Sequence, residues 1–209
     1  MGERQATLTG LDTDRRNPAL SQWYTPPALA LKVARWADPT PPGAWVLEPS
    51  AGRGALIKAM DACSPTFMSA WDIDPQNCAA LQQFSLEQTS LMVHAGDFTA
   101  HSYPSGTFRL ALMNPPYEGN QDVAHIDRAL DCSDRVVGIF QSRILHSKGR
   151  ASFWARTDIT RMAVLCERPN FGGDQSAKTD FVVMELVRRQ RVRRRGEATA
   201  TLTEWWSGV

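Results

Sequence analysis

Apolar residues along the chain fall into short blocks with two different periods. "AWVLEP", "TFMSAWDI", "LMVHA", "FRLALMN", "RVVGIF", "RMAVLCE" and "FVVMELV" are compact apolar runs bounded by Gly, Pro or polar residues, and they read as strands. Between them, "TPPALALKVARWA", "GALIKAM", "PQNCAALQQF", "QDVAHIDRALD" and "KGRASFWART" read as helices. In the first helix Leu29, Val33 and Trp36 share one face, the prolines suit the first turn, and Thr25 is the expected N-cap. Strands alternating with helices predict an α/β fold: a doubly wound, mostly parallel sheet with helices on both faces. The segment "RPNFGGDQSAKTD" is too short for a helical crossover. It predicts an antiparallel hairpin, and so one reversed strand in a seven-stranded sheet.

Composition adds boundaries. A chain of 209 residues with 43% hydrophobic content suits one domain with tails. The expected division is a polar segment over 1–20, a domain over 21–187 and a basic tail over 188–209. No apolar run approaches the roughly 20 residues that cross a bilayer. "MGERQATLTGLDTDRR" holds no apolar signal region, so a cytoplasmic location is expected. Cys63, Cys78, Cys132 and Cys166 form no CxxC pair and read as reduced core residues, with no metal site. His94, His101, His125 and His146 are scattered and receive no catalytic role. The net charge of +1 is uneven: residues 188–209 balance at +4 and the rest at −3. "RRQRVRRR" reads as a phosphate-binding or solvated end. Trp205 and Trp206 are unusual in such a tail and imply docking on the body or on a partner.

Candidate chemistry sits at the strand ends, where ligands bind in doubly wound sheets. "VLEPSAGRGALI" is a strand, a turn with Gly52 and Gly54, and a helix start whose amides face outward. It lacks both the dinucleotide fingerprint and the GK[ST] of a P-loop. The next strand ends in Asp72 and Asp74, the third in Asp97 and Phe98. A carboxylate at the second strand end can accept from ribose hydroxyls, and one at the third from an adenine amino group beside an aromatic cover. Asp74 precedes Pro75 and reads as a helix cap, whereas Asp72 and Asp97 read as ligand groups.

The fourth strand runs into "NPPYEGN". Neither proline can donate to a ladder, so the strand must stop there. An exocyclic amine on a heteroaromatic ring is a poor nucleophile, because its lone pair is delocalised. Two acceptors aimed at its hydrogens relocalise that pair. The Asn114 side-chain carbonyl and the Pro115 backbone carbonyl can be those acceptors, with Pro116 stiffening the residue before it. Tyr117 offers a flat platform for a base.

"EPSAGRG", "WDIDP", "GDF" and "NPPY", in this order, resemble the S-adenosylmethionine-dependent amino-methyltransferases. "QWYTPP" upstream resembles the N-terminal motif of the gamma-type DNA adenine-N6 methyltransferases. The resemblance covers residues 22–187 and implies a Rossmann-like methyltransferase fold with S-adenosylmethionine as cofactor. It implies that Tyr24, Thr25 and Pro26 hold the methionine end of that cofactor, with Glu48, Gly52 and Gly54 in the Gly-rich loop. Asp72 would take the ribose, Ile73 would pack beside adenine, and Asp97 and Phe98 would bind adenine. Asn114, Pro115, Pro116 and Tyr117 match the catalytic tetrad, and Phe171 matches a second aromatic gripping the target base.

NPPY also serves enzymes that methylate a protein glutamine amide, and adenine or guanine of ribosomal RNA is a third option, so the tetrad leaves the substrate open. The Arg tail favours nucleic acid, DNA first. So does the excess of Arg143, Lys148, Arg150, Arg156, Arg161 and Arg168 over Asp158 and Glu167; Arg143 and Lys148 are the expected substrate contacts. The chain has no room for a large target-recognition region. Weak selectivity, a very short site or an accessory partner is therefore expected. A degenerate, non-catalytic nucleic-acid-binding subunit is the remaining alternative.

Overall fold

The computed structural model describes residues 23–37, 41, 43–63, 67–146, 148–171, 179–189 and 201–208, with Lys148 described by its backbone alone. Strands and helices alternate through most of the chain, except between the third and fourth strands and among the last three strands. The elements run α1 (Pro27–Trp36), β1 (Trp45–Glu48), α2 (Ala55–Asp61), β2 (Phe67–Asp72), α3 (Pro75–Leu81), β3 (Ser90–Ala95) and β4 (Leu110–Met113). They continue with α4 (Gln121–Cys132), β5 (Val136–Gln141), α5 (Ala151–Ala155), β6 (Thr157–Leu165), β7 (Phe181–Arg188) and β8 (Leu202–Trp206). All lie in or on one sheet of order β3-β2-β1-β4-β5-β7-β6-β8.

The strand period of two divides the core cleanly. Leu110 and Leu112 of β4 join Leu29 and Val33 of α1 and Ile57 of α2 on one face. Ala111 and Met113 join Ile126 and Leu130 of α4 and Phe153 of α5 on the other. β1 lies between β2 and β4, all parallel, while β7 runs antiparallel to both β5 and β6. The single reversed strand is as expected from the short β6–β7 connection. The sheet order reverses between β1 and β4, which opens the crevice in which ligands bind in such sheets.

Four expectations need correction. The sheet has eight strands, because Leu202–Trp206 pairs in parallel with Arg161–Leu165 instead of forming part of a tail. Trp206 is buried, sits edge-on to Trp36 of α1 at 5.6 Å, and shares the Glu204 carboxylate with it: Trp36 Nε1 donates at 2.8 Å and Trp206 Nε1 at 3.1 Å. That burial explains the paired tryptophans, although Trp205 points outward and is 72% exposed. Second, Arg188 and Arg189 belong to the fold. Arg188 pairs with Asp127 and Asp131 of α4, and Arg189 with Asp158 of β6. The rest of the arginine run lies outside the described residues. Third, Thr25 does not cap α1: the N-cap is Pro26, with no side-chain bond, and the Thr25 hydroxyl serves elsewhere. Fourth, the cysteines are free, but only Cys78 and Cys132 are buried; Cys63 is half-buried and Cys166 exposed. Among the described residues no helix is long and apolar enough to cross a membrane.

Candidate active site

A cavity of about 370 Å³ opens along the carboxyl ends of β1, β2, β3 and β4. It is of the size that holds a small-molecule ligand. Its wall at the β2–β3 end consists of Asp72, Ile73, Asn77, Gly96, Asp97, Phe98, Thr99 and His125. At the β1–β4 end it consists of Trp23, Tyr24, Pro49, Ser50, Gly52, Asn114 and Pro116, with Glu118, Gln121 and Ala124 between the two.

The turn after β1 is built on Asp72. Its Oδ2 accepts from the Gly52 amide at 2.6 Å, and its Oδ1 from the Asp74 amide at 2.8 Å and Asn77 Nδ2 at 3.1 Å. Burial pushes the Asp72 carboxyl up, against those three hydrogen bonds, which hold it down. One oxygen therefore carries two donors already, so Oδ2 is the better placed to accept from a bound hydroxyl. Gly52 holds φ +53°, and a Cβ there would come 3.4 Å from the Tyr24 ring. Tyr24 is itself covered by the Arg53 guanidinium at 4.4 Å. Gly54 serves another purpose than the expected approach to a ligand. It does not reach the cavity; a Cβ there would lie 2.4 Å from the Phe84 ring, so its bareness lets α2 start against α3 and its C-terminal turn.

Asp74 is the cap read from the sequence, accepting from the Gln76 amide at 2.9 Å. Asp97 does both things considered for it: Oδ1 accepts from the Thr99 amide and hydroxyl, and the residue lines the cavity. Those bonds hold its carboxyl below the usual range. Phe98 is buried beneath it, and Ile73 stands at the lip, 56% exposed. Glu48 does not line the cavity. It lies just below the wall, fully buried, with Oε1 3.4 Å from the Ser50 amide and Oε2 lacking a partner. Burial pushes this carboxyl well up.

The tetrad departs most from expectation. Asn114 lies on the cavity wall near Gly52, and Ser50 Oγ donates to its backbone carbonyl at 3.3 Å. Its side-chain Nδ2 donates to the Trp23 carbonyl and to Thr25 Oγ1, both at 3.0 Å. Its Oδ1 accepts from the Tyr117 hydroxyl, which also lies 3.1 Å from the Ile139 carbonyl. Tyr117 is therefore not an open platform. It is 1% exposed, its ring meets Phe181 at 5.7 Å, and burial raises its phenol well above the ordinary range. Phe171 is likewise core, 2% exposed between Trp23 and Phe181, and grips nothing in the cavity. The apolar surroundings of both rings explain this: each covers the sheet face under α1, where an exposed ring would leave a hole. Pro116 reaches the wall, but Pro115, Thr25 and Pro26 do not.

The basic cluster is also reassigned. Arg143 donates to the Tyr117 carbonyl at 2.6 Å and so braces the loop after the tetrad. Arg150 is buried, reaching the Arg143 carbonyl, Asn120 and Asp122. Arg156 pairs with Asp127, Arg161 with Glu185, and Arg168 with Asp180. The Lys148 side chain lies outside the described residues. Counting charges within one segment misses these partners, because they come from other elements.

Sequence reasoning also missed Trp23, Ser50 and His125. Ser50 stands inside the quoted turn and Trp23 beside Tyr24, so proximity to a motif was the available signal. His125 gave none: it reaches the wall because α4 packs over β4, with Nδ1 at 2.9 Å from the Gln121 carbonyl. His94 and His101 flank Trp71 at 4.5 and 4.2 Å. No group of metal-ligating residues occurs among the described residues.

No protein-family model matches this sequence, and neither does any curated protein. Solved structures share the fold. One is a proposed RNA methyltransferase from Pyrococcus horikoshii, with TM-score 0.64 and 16% identity over 83% of this chain and 90% of that one. The 23S rRNA methyltransferase ErmE gives 0.60 and 17%, over 84% and 73%. A dimethyladenosine transferase from Plasmodium falciparum gives 0.57 and 17%, over 81% and 64%.

Proposed function

We propose, from this Rossmann-like methyltransferase fold, that the chain transfers a methyl group from S-adenosylmethionine to the exocyclic N6 amino group of adenine in DNA. The observation that carries the proposal is Asn114 on the wall of a cavity whose far end offers carboxylates and an aromatic ring at successive strand ends. The residues fit the cofactor. Asp72, Ile73, Asp97 and Phe98 would hold its nucleoside, and Tyr24, Ser50 and Gly52 its methionine end. The wall carries the carboxylates Asp72 and Asp97, which suit a cationic ligand. When bound, S-adenosylmethionine supplies the electrophilic methyl and a neutral leaving group.

The protein's own contribution is positioning and an acceptor. Asn114 Oδ1 has two lone pairs, of which the Tyr117 hydroxyl occupies one. The other would accept from the target amine and localise its lone pair for attack on the methyl carbon. As the N–C bond forms the S–C bond breaks, and the cationic nitrogen then releases its proton to water. Alignment of this kind is worth roughly 7–11 kcal/mol in well-oriented systems. A duplex hides the amine, so the base must be flipped out or already single-stranded. Trp23 and Tyr24 are the aromatic residues that line the cavity beside Asn114. RNA adenine is the second reading, favoured by the 23S rRNA methyltransferase and the dimethyladenosine transferase that share the fold.

The test is to incubate the full chain with methyl-labelled S-adenosylmethionine and, separately, mixed-sequence DNA, mixed-sequence RNA and a glutamine-containing release-factor protein, then hydrolyse to nucleosides. Labelled N6-methyladenosine from RNA alone moves the substrate to RNA. Label in protein alone overturns the nucleic-acid reading.

A further inference from the structure

The Asn114 amide is gripped at both ends by groups assigned other duties from sequence. A carboxamide has two orientations that differ by a half-turn, and only one presents an oxygen to an incoming amine. Here the difference is enforced. The nitrogen end meets two acceptors, the Trp23 carbonyl and Thr25 Oγ1, and the oxygen end meets one donor, the Tyr117 hydroxyl. A half-turn would set the amide oxygen against the Trp23 carbonyl, which can only accept. Either hydroxyl could exchange donor and acceptor roles, so the carbonyl sets the orientation and the two hydroxyls hold it. An unmade buried hydrogen bond costs more than a made one contributes, so facing the Trp23 carbonyl disfavours the flipped state.

Both hydroxyls are in the wrong place for their expected roles. Thr25 is buried and absent from the cavity wall, so it does not hold the cofactor. Tyr117 is sealed against Phe181, so it does not offer its face to a base. Donation from both amide hydrogens also polarises the carbonyl, strengthening it as an acceptor. The grip joins residues 89 positions apart, so it is part of the folded body before substrate arrives.

We infer that Thr25 and Tyr117 are positioning residues of methyl transfer, acting through the Asn114 amide and not on cofactor or base binding. The inference rests on the reading of Asn114 as acceptor. Full-length T25V, T25S, Y117F and N114A variants test it by two measurements. The first is turnover with S-adenosylmethionine and the nucleic acid that the labelling experiment identifies. T25V and Y117F lower kcat about tenfold, with both KM values within about threefold, and T25S restores turnover. Phenylalanine keeps the ring on Phe181, so Y117F preserves the core. A base-stacking role instead predicts normal turnover for Y117F; a cofactor role predicts a raised cofactor KM for T25V; either result overturns the inference.

The second measurement is hydrogen exchange of the Asn114 side-chain amide by NMR, its resonances identified by their loss in N114A. Exchange is slow in the native chain and at least about tenfold faster in T25V and Y117F. Unchanged exchange overturns the grip without any assay of activity. The two proposals fail separately. Full turnover by N114A sinks the acceptor reading, whereas loss in N114A beside normal T25V and Y117F sinks the grip alone.

Discussion

The two ends of the cavity are built on opposite plans. At the β2–β3 end, acidic side chains line the wall while bracing their own loops: Asp72 holds the Gly52 turn and Asp97 holds Thr99. At the β1–β4 end, the polar groups largely face each other. Asn114 is tied to Trp23, Thr25 and Tyr117, and its backbone to Ser50. The first end suits recognition, because acceptors with spare lone pairs can take donors from a ligand. The second suits chemistry, because a reacting group needs its partners fixed beforehand.

The sharpest way to break this contrast is to exchange the defects. N114A is expected to lower kcat by about two to three orders of magnitude while leaving cofactor affinity within about threefold, the scale on which single stabilising groups act in active sites. Steady-state kinetics and calorimetry check it. A cofactor affinity that falls with kcat would show that the two ends are not separable.

D72A is the mirror image and the next in size. It removes the acceptor of three donors, so it should destabilise the fold by about 1.5–3 kcal/mol. It should also weaken S-adenosylmethionine binding at least about tenfold. Denaturant melts and calorimetry measure both. Single-turnover rates at saturating cofactor should fall far less than in N114A.

A smaller effect concerns pH at the recognition end. Burial holds the His125 imidazole below its ordinary pKa of about 6.5, despite the opposing influence of Asp97, Asp122 and the Gln121 carbonyl. Below about pH 6.5 the unfolded chain therefore binds this proton before the folded chain does. Stability falls as pH drops from there toward the folded value. Melting temperatures compared between H125Q and the native chain over that interval should diverge, the variant losing less. Parallel curves would mean the imidazole contributes nothing to the acid limb.

The smallest effects belong to the arginines. R156A and R168A remove exposed, paired cations, so nucleic-acid binding and its salt slope should be unchanged within error. A slope shallower by about one unit per substitution would make them phosphate contacts despite their ion pairs.

Much of this was legible beforehand. Leu110 and Leu112 against Ala111 and Met113, or Leu29 with Val33, declare their faces through spacing alone. The strand ends follow from the elements, and with them Gly52, Asp72, Asp97, Phe98 and Asn114 on one wall. Side-chain partnerships were not legible. Thr25 looked like a cap and bonds Asn114; Tyr117 looked like a platform and lies in the core; Arg143 looked like a substrate contact and donates to the Tyr117 carbonyl. Nor did "LTEWW" announce an eighth strand, since its partner β6 lies well upstream.

The succession of the first seven strands, their buried faces and the end of the sheet that carries the site are readable along the chain alone. Hydrophobic burial is non-directional and its period is local, so a short window of residues suffices to read it. Which hydroxyl meets which amide, and which arginine meets which carboxylate, was decided only in the tertiary structure. Hydrogen bonds demand distance and angle between particular atoms, and for pairs such as Thr25 with Asn114 or Arg161 with Glu185 no short window along the sequence contains both partners.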